Sequence, residues 1–273
     1  MNDRLMENLN PMQQEAVVHA SGPLVVFAGA GSGKTRVITT RIALLIEQGV
    51  RPNSILAVTF TNKATKEMKE RIVDLSSRGF LVHVATFHSA CTRWLREFAD
   101  HLGYTTSFSI YSDADVKGVL KGVLKDLHID EQEHAIADYR AAISKAKTYG
   151  WLPIDVESHL EREAIFPPFG VEVYKRYQAN LAQANAMDFN DLLMNMLMLL
   201  RRNEEVRQIL QKRYSHILVD EYQDTNPTQF AIINYLVNNV NLVNTIHRNN
   251  NLFKLVCQIS FNTVLVFLIG LHS

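Results

Sequence analysis

The sequence has only two cysteines and no excess of either charge, and both shortages exclude classes of protein. Cys91 and Cys257 lie too far apart among 273 residues to indicate a disulfide framework or a cysteine-rich metal site. The 28 basic residues balance the 28 acidic residues, which argues against a histone-like polyanion binder but leaves room for a local basic groove. The polar N-terminal segment contains no apolar signal core. These absences predict a cytoplasmic protein in a reducing compartment, with no membrane association.

Acidic residues are absent after Asp224. Residues 225–273 contain two basic residues and no acid, and seven of the 14 residues in 238–251 are asparagine. A mostly apolar run, LVCQISFNTVLVFLIGL, follows. We therefore separate a well-patterned part, up to about residue 237, from an atypical tail over 238–273.

The tail allows three interpretations. A frameshifted or truncated gene product explains the loss of acids, the asparagine run and the change of pattern together, and the composition favours it. A transmembrane segment over 252–271 has nearly the required length, but Lys254 and several polar residues interrupt it. In the third interpretation, the segment TVLVFLIG (263–270) completes a sheet as a core strand.

Short apolar runs alternate with helical stretches over residues 1–90. The runs LVVF (24–27), ILAVTF (55–60) and FLVHVATF (80–87) are rich in β-branched and aromatic residues, as buried parallel strands are. Between the first two runs, apolar residues recur at helical spacing over 34–47. This alternation predicts an α/β fold with a parallel sheet.

The strand pattern disappears after about residue 91 and returns at HILVDE (216–221). Ser112 and Asp115 form a capping box before an apolar helical face, and further helices are predicted over 135–147 and 171–186. A helical block that interrupts an α/β core predicts an inserted subdomain. The predicted division is an α/β part over 1–90, a helical insertion over 91–187, a second α/β part over 188–237 and the tail.

The most specific motif is AGAGSGKT, at residues 28–35 between a predicted strand and a predicted helix. Its small residues allow backbone N–H groups to converge on phosphate oxygens at a helix N-terminus. Lys34 is placed to reach the β- and γ-phosphates, and Thr35 to ligate Mg²⁺. A glycine-rich turn without a ligand is the alternative. The predicted nucleotide-binding residues of this loop are Ala28, Gly29, Ala30, Gly31, Ser32, Gly33, Lys34 and Thr35.

The second motif, ILVDEYQDTN at 217–226, is an apolar strand that ends in adjacent acids. Asp220 would hold Mg²⁺ and Glu221 would polarise the attacking water in a P-loop enzyme. Alone, such a pair is more typical of a solvated strand end. Beside the P-loop, it predicts a catalytic site.

Together these segments resemble the N-terminal half of a UvrD/Rep/PcrA-like superfamily 1 DNA helicase. LNPMQQEAV (9–17) resembles the family's Q motif, in which Gln13 would recognise adenine, and Arg36 follows the P-loop as in motif I. Four further segments resemble motif Ia, motif Ib, the family's DFDDLL segment and motif II: LAVTFTNKAT (56–65), TFHS (86–89), DFNDLL (188–193) and DEYQDTN (220–226).

The resemblance implies a RecA-like P-loop domain, 1A, interrupted by a helical domain, 1B. It implies ATP and Mg²⁺ as cofactors, with Lys34 and Glu221 catalytic and with Thr35 and Asp220 holding the metal. Motifs Ia and Ib contact single-stranded DNA in the family, and the corresponding residues here are Phe60, Thr61, Asn62, Thr86 and His88.

Several of these residues have a structural alternative. Phe60 has the pattern of a buried strand residue, and His88 that of a helix-capping or core-edge histidine. Lys145 and Lys147, and a stripe formed by Lys117, Lys121 and Lys125, would either contact DNA phosphates or form solvated helix faces, and the second interpretation is favoured.

The resemblance predicts the ATP-binding portion of a 3′→5′ helicase that acts on single-stranded DNA and DNA junctions in repair. Motifs III to VI have no counterpart after Leu236, so the residues that bind ATP are present without those that couple hydrolysis to unwinding. Two alternatives stay open. One is a nucleotide-dependent DNA-binding module without useful turnover, and the other is a fragment of a RecB/AddA-like helicase-nuclease.

Overall fold

The computed structural model describes residues 3–19, 24–29, 31–237 and 264–271, and the chain divides into two compact units. The first unit contains Met1–Ala90, Glu205–Thr225 and Ile233–Ser273. The second contains Cys91–Glu204 and Asn226–Ile232, so the helical segment interrupts the first unit along the chain. Residues 188–204 belong to the second unit, whereas the predicted division began the second α/β part at 188. The domain boundaries at 90, 187 and 237 stay a prediction.

A five-stranded parallel sheet forms the base of the first unit, as the alternating pattern predicts. Strands are numbered in chain order, and the sheet has the order β1-β7-β6-β2-β3 with every pairing parallel. The five strands are β1 Leu24–Gly29, β2 Ile55–Thr59, β3 His83–Thr86, β6 His216–Val219 and β7 Val264–Leu271. Their carboxyl ends meet at one edge, where loops in α/β sheets hold ligands.

Seven helices of the described residues lie wholly or partly in the first unit. Helix α3 packs against α2 and α4, and it buries Ile38, Ile42 and Leu45 against the sheet residues Ile55 and Leu218. Their bounds are α1 Asp3–Met6, α2 Pro11–Val18, α3 Lys34–Glu47, α4 Asn62–Leu75, α5 Phe87–Glu97, α12 Glu204–Arg213 and α13 Pro227–Leu236.

Arg41 connects α3 to α2 through hydrogen bonds made in the core. Its side chain is buried, and one terminal nitrogen donates to the carbonyl oxygens of Ala16 and Val17 at 3.1 and 3.0 Å. These carbonyls lie in the last turn of α2, where no intrahelical donor is available to them. Burial lowers the pKa of Arg41 to about 10, which still leaves it charged at neutral pH.

The tail contributes β7, an interior strand of the sheet that lies between β1 and β6. It pairs with β1 from Leu24 opposite Val266 to Gly29 opposite Leu271, and with β6 from His216 opposite Val264 to Val219 opposite Phe267. This agrees with the third interpretation of the tail. Residues 264–271 are a sheet strand and not part of a membrane-spanning helix, while residues 252–263 lie outside the described residues. Among the helices that are described, none is both long and apolar enough to cross a membrane.

The second unit is mainly helical, as predicted. Tyr139, Tyr174, Tyr177 and Leu181 are fully buried in its core, and two short strands pair in parallel at its margin. Besides the end of α5, the start of α13 and a 3₁₀ turn at Ala99–Leu102, its elements are β4 Ser109–Ile110, α6 Asp113–Asp126, α7 Ile136–Thr148, α8 Pro153–Glu157, α9 Leu160–Glu163, α10 Gly170–Gln183, β5 Ala186–Met187 and α11 Phe189–Arg202.

Helix α10 ends earlier than the predicted 186. Asn185 has a left-handed backbone with φ 47°, and Ala186 begins β5. Asparagine tolerates this conformation better than most residues, so it terminates the helix.

Lys147 has neither of its two predicted environments. Its Nζ is fully buried, 2.6 Å from Asp188 Oδ2 and 2.7 Å from Asp191 Oδ1, and it lies 4.9 Å from the centre of the Tyr177 ring. Lys147 is therefore neither a DNA-contacting residue nor part of a solvated face. Lys145, on the same helix, is exposed.

Candidate nucleotide-binding site

The loop between β1 and α3 has the backbone shape of a phosphate-binding loop. Gly31 and Gly33 have φ values of 74° and 85°, in the left-handed region that glycine enters at low cost. Helix α3 begins at Lys34, and no side chain caps its N-terminus. Its first N–H groups therefore have no side-chain cap, and the N-terminus of such a helix favours an anion. Ala28 and Gly29 are the last residues of β1, and Ala30 lies outside the described residues.

Lys34 and Glu221 meet across the carboxyl edge of the sheet. Lys34 begins α3, and Glu221 follows β6 by two residues, with β7 lying between β1 and β6. The Lys34 Nζ is 3.5 Å from Glu221 Oε1, and the two side chains are 11% and 38% exposed. The structure thus brings together the two residues that the sequence predicts to be catalytic.

Asp220 and Glu221 turn sharply away from the sheet. The Asp220 N–H donates to the Val58 carbonyl at 2.9 Å, continuing the pairing with β2 by one residue. Glu221 then adopts a left-handed backbone with φ 50°, and its N–H donates to Asp220 Oδ1 at 3.1 Å. A 3₁₀ turn, Tyr222–Asp224, follows. A strained non-glycine residue at this position is typical of functional sites.

Burial changes the ionisation of Asp220. The side chain is largely shielded, and burial, with the nearby charge of Glu221, raises its pKa to about 6. The hydrogen bond from the Glu221 N–H and the charge of Lys34 partly offset this rise. Asp220 is therefore mostly ionised at neutral pH and largely protonated below pH 5.

The residues at this edge fit a magnesium-bound triphosphate. Mg²⁺ in nucleotide sites is held by one or two carboxylates together with phosphate oxygens. The described residues contain no group of three histidine, cysteine or acidic side chains that could hold a metal. Thr35, in the first turn of α3, is half-buried.

Gln13 contacts the phosphate-binding loop directly. Its Nε2 donates to the Ser32 carbonyl at 2.8 Å, and its Oε1 accepts from the Asn10 N–H at 2.9 Å in the capping box of α2. A Cβ built on Gly33 would lie 2.9 Å from the Gln13 Nε2, so only glycine fits there without displacement. The predicted adenine contact of Gln13 stays a prediction.

Arg36 is directed towards the N-terminal segment. It is exposed, and one terminal nitrogen donates to the Asn8 carbonyl at 3.1 Å. The structure does not bring Arg36 into contact with Lys34 or Glu221, and its predicted nucleotide contact stays untested.

The first three predicted DNA-contacting residues follow β2 at the same sheet edge. Phe60 is half-buried, and its ring meets the edge of Phe87 with centroids 5.7 Å apart. Thr61 and Asn62 are exposed at the start of α4. The Thr61 hydroxyl accepts from the Ala64 N–H at 3.1 Å, so it caps this helix. Phe60 is thus not fully buried, contrary to the structural alternative for this residue.

The other two candidates lie at the end of β3. Thr86 is buried, and its hydroxyl accepts from the Ser89 N–H at 3.2 Å, which caps α5. His88 is half-buried, and burial lowers its pKa to about 4. His88 is therefore neutral at neutral pH and offers no positive charge to a phosphate.

Gln223 is a residue of the site to which the sequence assigned no role. Its Nε2 donates to Glu221 Oε2 at 2.6 Å, and it lies 3.4 Å from Asp224 Oδ2. Gln223 lies two residues after Glu221, in a motif that the sequence already indicated to act on phosphates. This position could have predicted a role for Gln223 in the site.

Comparison with known proteins places these residues in a family. The model for the UvrD/REP helicase N-terminal domain matches residues 9–246. The chain belongs to this family. The match ends nine residues beyond the predicted limit of the family pattern at 237, and it includes the P-loop, the Asp220–Glu221 pair and the helical segment.

Two relatives with the same name are similar to this chain. The chain is 42% identical over 236 residues to the ATP-dependent DNA helicase PcrA of Staphylococcus epidermidis, which covers 86% of this chain and 32% of the relative. It is 42% identical over 234 residues to the PcrA of Staphylococcus aureus, covering 85% of this chain and 32% of the relative. The chain thus spans about a third of the length of the curated relatives that it matches.

Proposed function

We propose that this chain binds ATP with Mg²⁺ and forms the ATP-hydrolysing portion of a DNA helicase. The contact between Lys34 and Glu221 is the observation that carries the proposal, because it joins the phosphate-binding loop to the acidic strand end. The name of the relatives, ATP-dependent DNA helicase, supports the same substrate. Their name also favours the simpler helicases over a RecB/AddA-like helicase-nuclease.

Each residue of the site has a distinct role in this proposal. Lys34 moves from Glu221 to the β- and γ-phosphates, which the N–H groups at the start of α3 also bind. Thr35 and Asp220 would hold Mg²⁺, which would supply positive charge beside the phosphates. Glu221 accepts a proton from the attacking water through the oxygen that Lys34 has left.

Single-stranded DNA would lie along the carboxyl ends of β2 and β3. Phe60, Thr61 and Asn62 follow one strand, whereas Thr86 is the last residue of the other and His88 follows it. Exposed hydroxyl and amide groups suit sequence-independent contact with a phosphate backbone, and an aromatic ring suits base stacking. The 3′→5′ polarity, the action on DNA junctions and the role in repair are proposed by resemblance to the family.

The second candidate is a nucleotide-dependent DNA-binding module with little turnover. Phosphoryl transfer usually requires an additional arginine at the γ-phosphate. Arg36, which follows the P-loop, is directed to the Asn8 carbonyl instead. Lys34 is therefore the one cation that the described residues bring to Glu221.

Measurement of ATP turnover by the purified chain, with and without single-stranded DNA, separates the two candidates. The helicase proposal expects turnover that DNA stimulates and that both Lys34→Ala and Glu221→Gln abolish. Turnover that survives in both variants would contradict the assigned site. ATP binding without turnover in the unmodified chain would favour the binding module.

A further inference from the structure

Each carboxylate oxygen of Glu221 contacts one side chain, and nucleotide binding would affect these two contacts differently. Lys34 Nζ lies 3.5 Å from Oε1, and Gln223 Nε2 lies 2.6 Å from Oε2. A bound triphosphate competes for Lys34, because the phosphates carry more negative charge than one carboxylate. The amide of Gln223 is neutral, so the triphosphate attracts it far less. Nucleotide binding thus removes one of the two contacts.

The turn that carries Gln223 is fixed by the backbone. The Asp224 N–H donates to the Glu221 carbonyl at 2.9 Å, and both the N–H and the hydroxyl of Thr225 donate to the Tyr222 carbonyl at 3.1 and 2.8 Å. Tyr222 is buried, and β7 contacts the turn. The Gln223 amide is therefore presented from a rigid segment, which lowers the entropic cost of holding the carboxylate.

We propose that Gln223 is a positioning residue for Glu221. It holds Oε2 after Lys34 has moved to the phosphates, so that Oε1 faces the attacking water. The left-handed backbone at Glu221, with φ 50°, directs the side chain towards the site, and Gln223 selects the productive orientation. This inference rests on the proposed ATP site.

A crystal structure of the chain with Mg²⁺ and a non-hydrolysable ATP analogue tests the proposal without requiring turnover. We expect Lys34 on the phosphates, and the Gln223 Nε2 still within about 3.2 Å of a Glu221 oxygen. In Gln223→Ala, the analogue should bind within about twofold of the unmodified affinity, while the Glu221 carboxylate leaves its position. A Glu221 carboxylate that keeps its orientation in Gln223→Ala would overturn the proposal.

Kinetics provide a second readout with a matched control. We expect Gln223→Ala and the isosteric Gln223→Glu to lower kcat by about 10- to 100-fold with little change in KM, because the base is misplaced while nucleotide contacts remain. Gln211→Ala removes a comparable amide contact, to the Tyr235 carbonyl, in the same unit and should leave kcat unchanged. Equal kcat in Gln223→Ala and the unmodified chain would also overturn the proposal.

The outcomes separate this inference from the function on which it rests. If the unmodified chain binds the analogue but does not turn over ATP, the structures still decide the role of Gln223. If the chain does not bind the analogue at all, the proposed function fails and this inference fails with it.

Discussion

At the residue scale, Asp220 is 6% exposed and has a pKa of about 6, compared with an ordinary value of 3.8. Because the folded-state pKa lies above the unfolded-state value, ionisation of Asp220 opposes folding. The cost is absent below about pH 4 and is fully present above about pH 6. The carboxylate that we propose as a Mg²⁺ ligand thus lowers the stability of the nucleotide-free protein at neutral pH.

Asp220→Asn should therefore stabilise the fold while it removes metal binding. We expect the free energy of unfolding to rise by about 1–3 kcal/mol at pH 7.5 without Mg²⁺, and to be nearly unchanged at pH 4. Urea denaturation at the two pH values checks this. Asp74→Asn removes a carboxylate at an exposed position on α4; it is the control and should change the free energy of unfolding at pH 7.5 by less than about 0.5 kcal/mol. A destabilised Asp220→Asn at pH 7.5 would contradict the account.

The charge state of His88 leads to a prediction for DNA binding. With a pKa of about 4, His88 is neutral between pH 6 and pH 8 and releases no counterion from DNA. His88→Ala should leave the dependence of log Kd on log salt concentration unchanged for single-stranded DNA, even if Kd itself increases. Fluorescence anisotropy titrations at several salt concentrations measure this slope. A slope reduced by about 0.7 would show that His88 binds as a cation.

At the element scale, the ion pairs of Lys147 join α7 to the start of α11, and Tyr177 connects α10 to the same cluster. Asp188 and Asp191 form a reciprocal capping box at the start of α11, and both carboxylates accept from Lys147. The Tyr177 hydroxyl adds a hydrogen bond to Asp188 at 2.8 Å. Removal of one partner from such a cluster leaves uncompensated buried charge.

Lys147→Ala should destabilise the second unit by about 3–5 kcal/mol, because two buried carboxylates lose their only cation within the described residues. Lys145→Ala is the matched control on the same helix, and it should change the stability by less than about 0.5 kcal/mol. Thermal and urea unfolding, monitored by circular dichroism, measure both. A loss below about 1 kcal/mol in Lys147→Ala would contradict the role of the cluster.

Helices and strands were predictable from the sequence where the residues that indicate them lie within or directly beside the element. Ser112 and Asp115 predicted the start of α6, and the apolar runs predicted β1, β2, β3 and β6. The pairing of Lys147 with Asp188 joins residues that are 41 positions apart, and helical spacing contains no information about such a contact. Arg41 lies at helical spacing from Ile38 and Leu45, so its burial was indicated by the pattern, but its charge argued against that interpretation.

At the scale of the whole molecule, the sequence indicated where Lys34 and Glu221 lie better than it indicated the place of the tail. Lys34, Asp220 and Glu221 were predictable because each follows a short strand in a recognisable motif, and parallel topology brings strand ends together. The position of β7 was one of three interpretations. Composition describes an apolar segment equally well as a buried strand or as a membrane span, and only the sheet order distinguishes the two.

The position of β7 between β1 and β6 leads to a prediction about the tail. Within the described sheet, β1 pairs only with β7, so a chain ending at residue 263 leaves the strand before the P-loop without a neighbour. We expect this truncation to weaken ATP binding at least tenfold, as measured by calorimetric titration. A chain ending at Leu271 should bind like the full chain. Unchanged affinity after truncation at 263 would contradict the assigned position of β7.

The measurement that tests the central claim most directly is the affinity of the chain for Mg²⁺ and a fluorescent ATP analogue, compared with that of Lys34→Ala. The account predicts saturable binding by the unmodified chain and an affinity at least tenfold lower in the variant, with unchanged circular dichroism. Equal affinities, or no binding by a folded unmodified chain, would contradict the assignment of residues 28–35 and 220–221 as a nucleotide site.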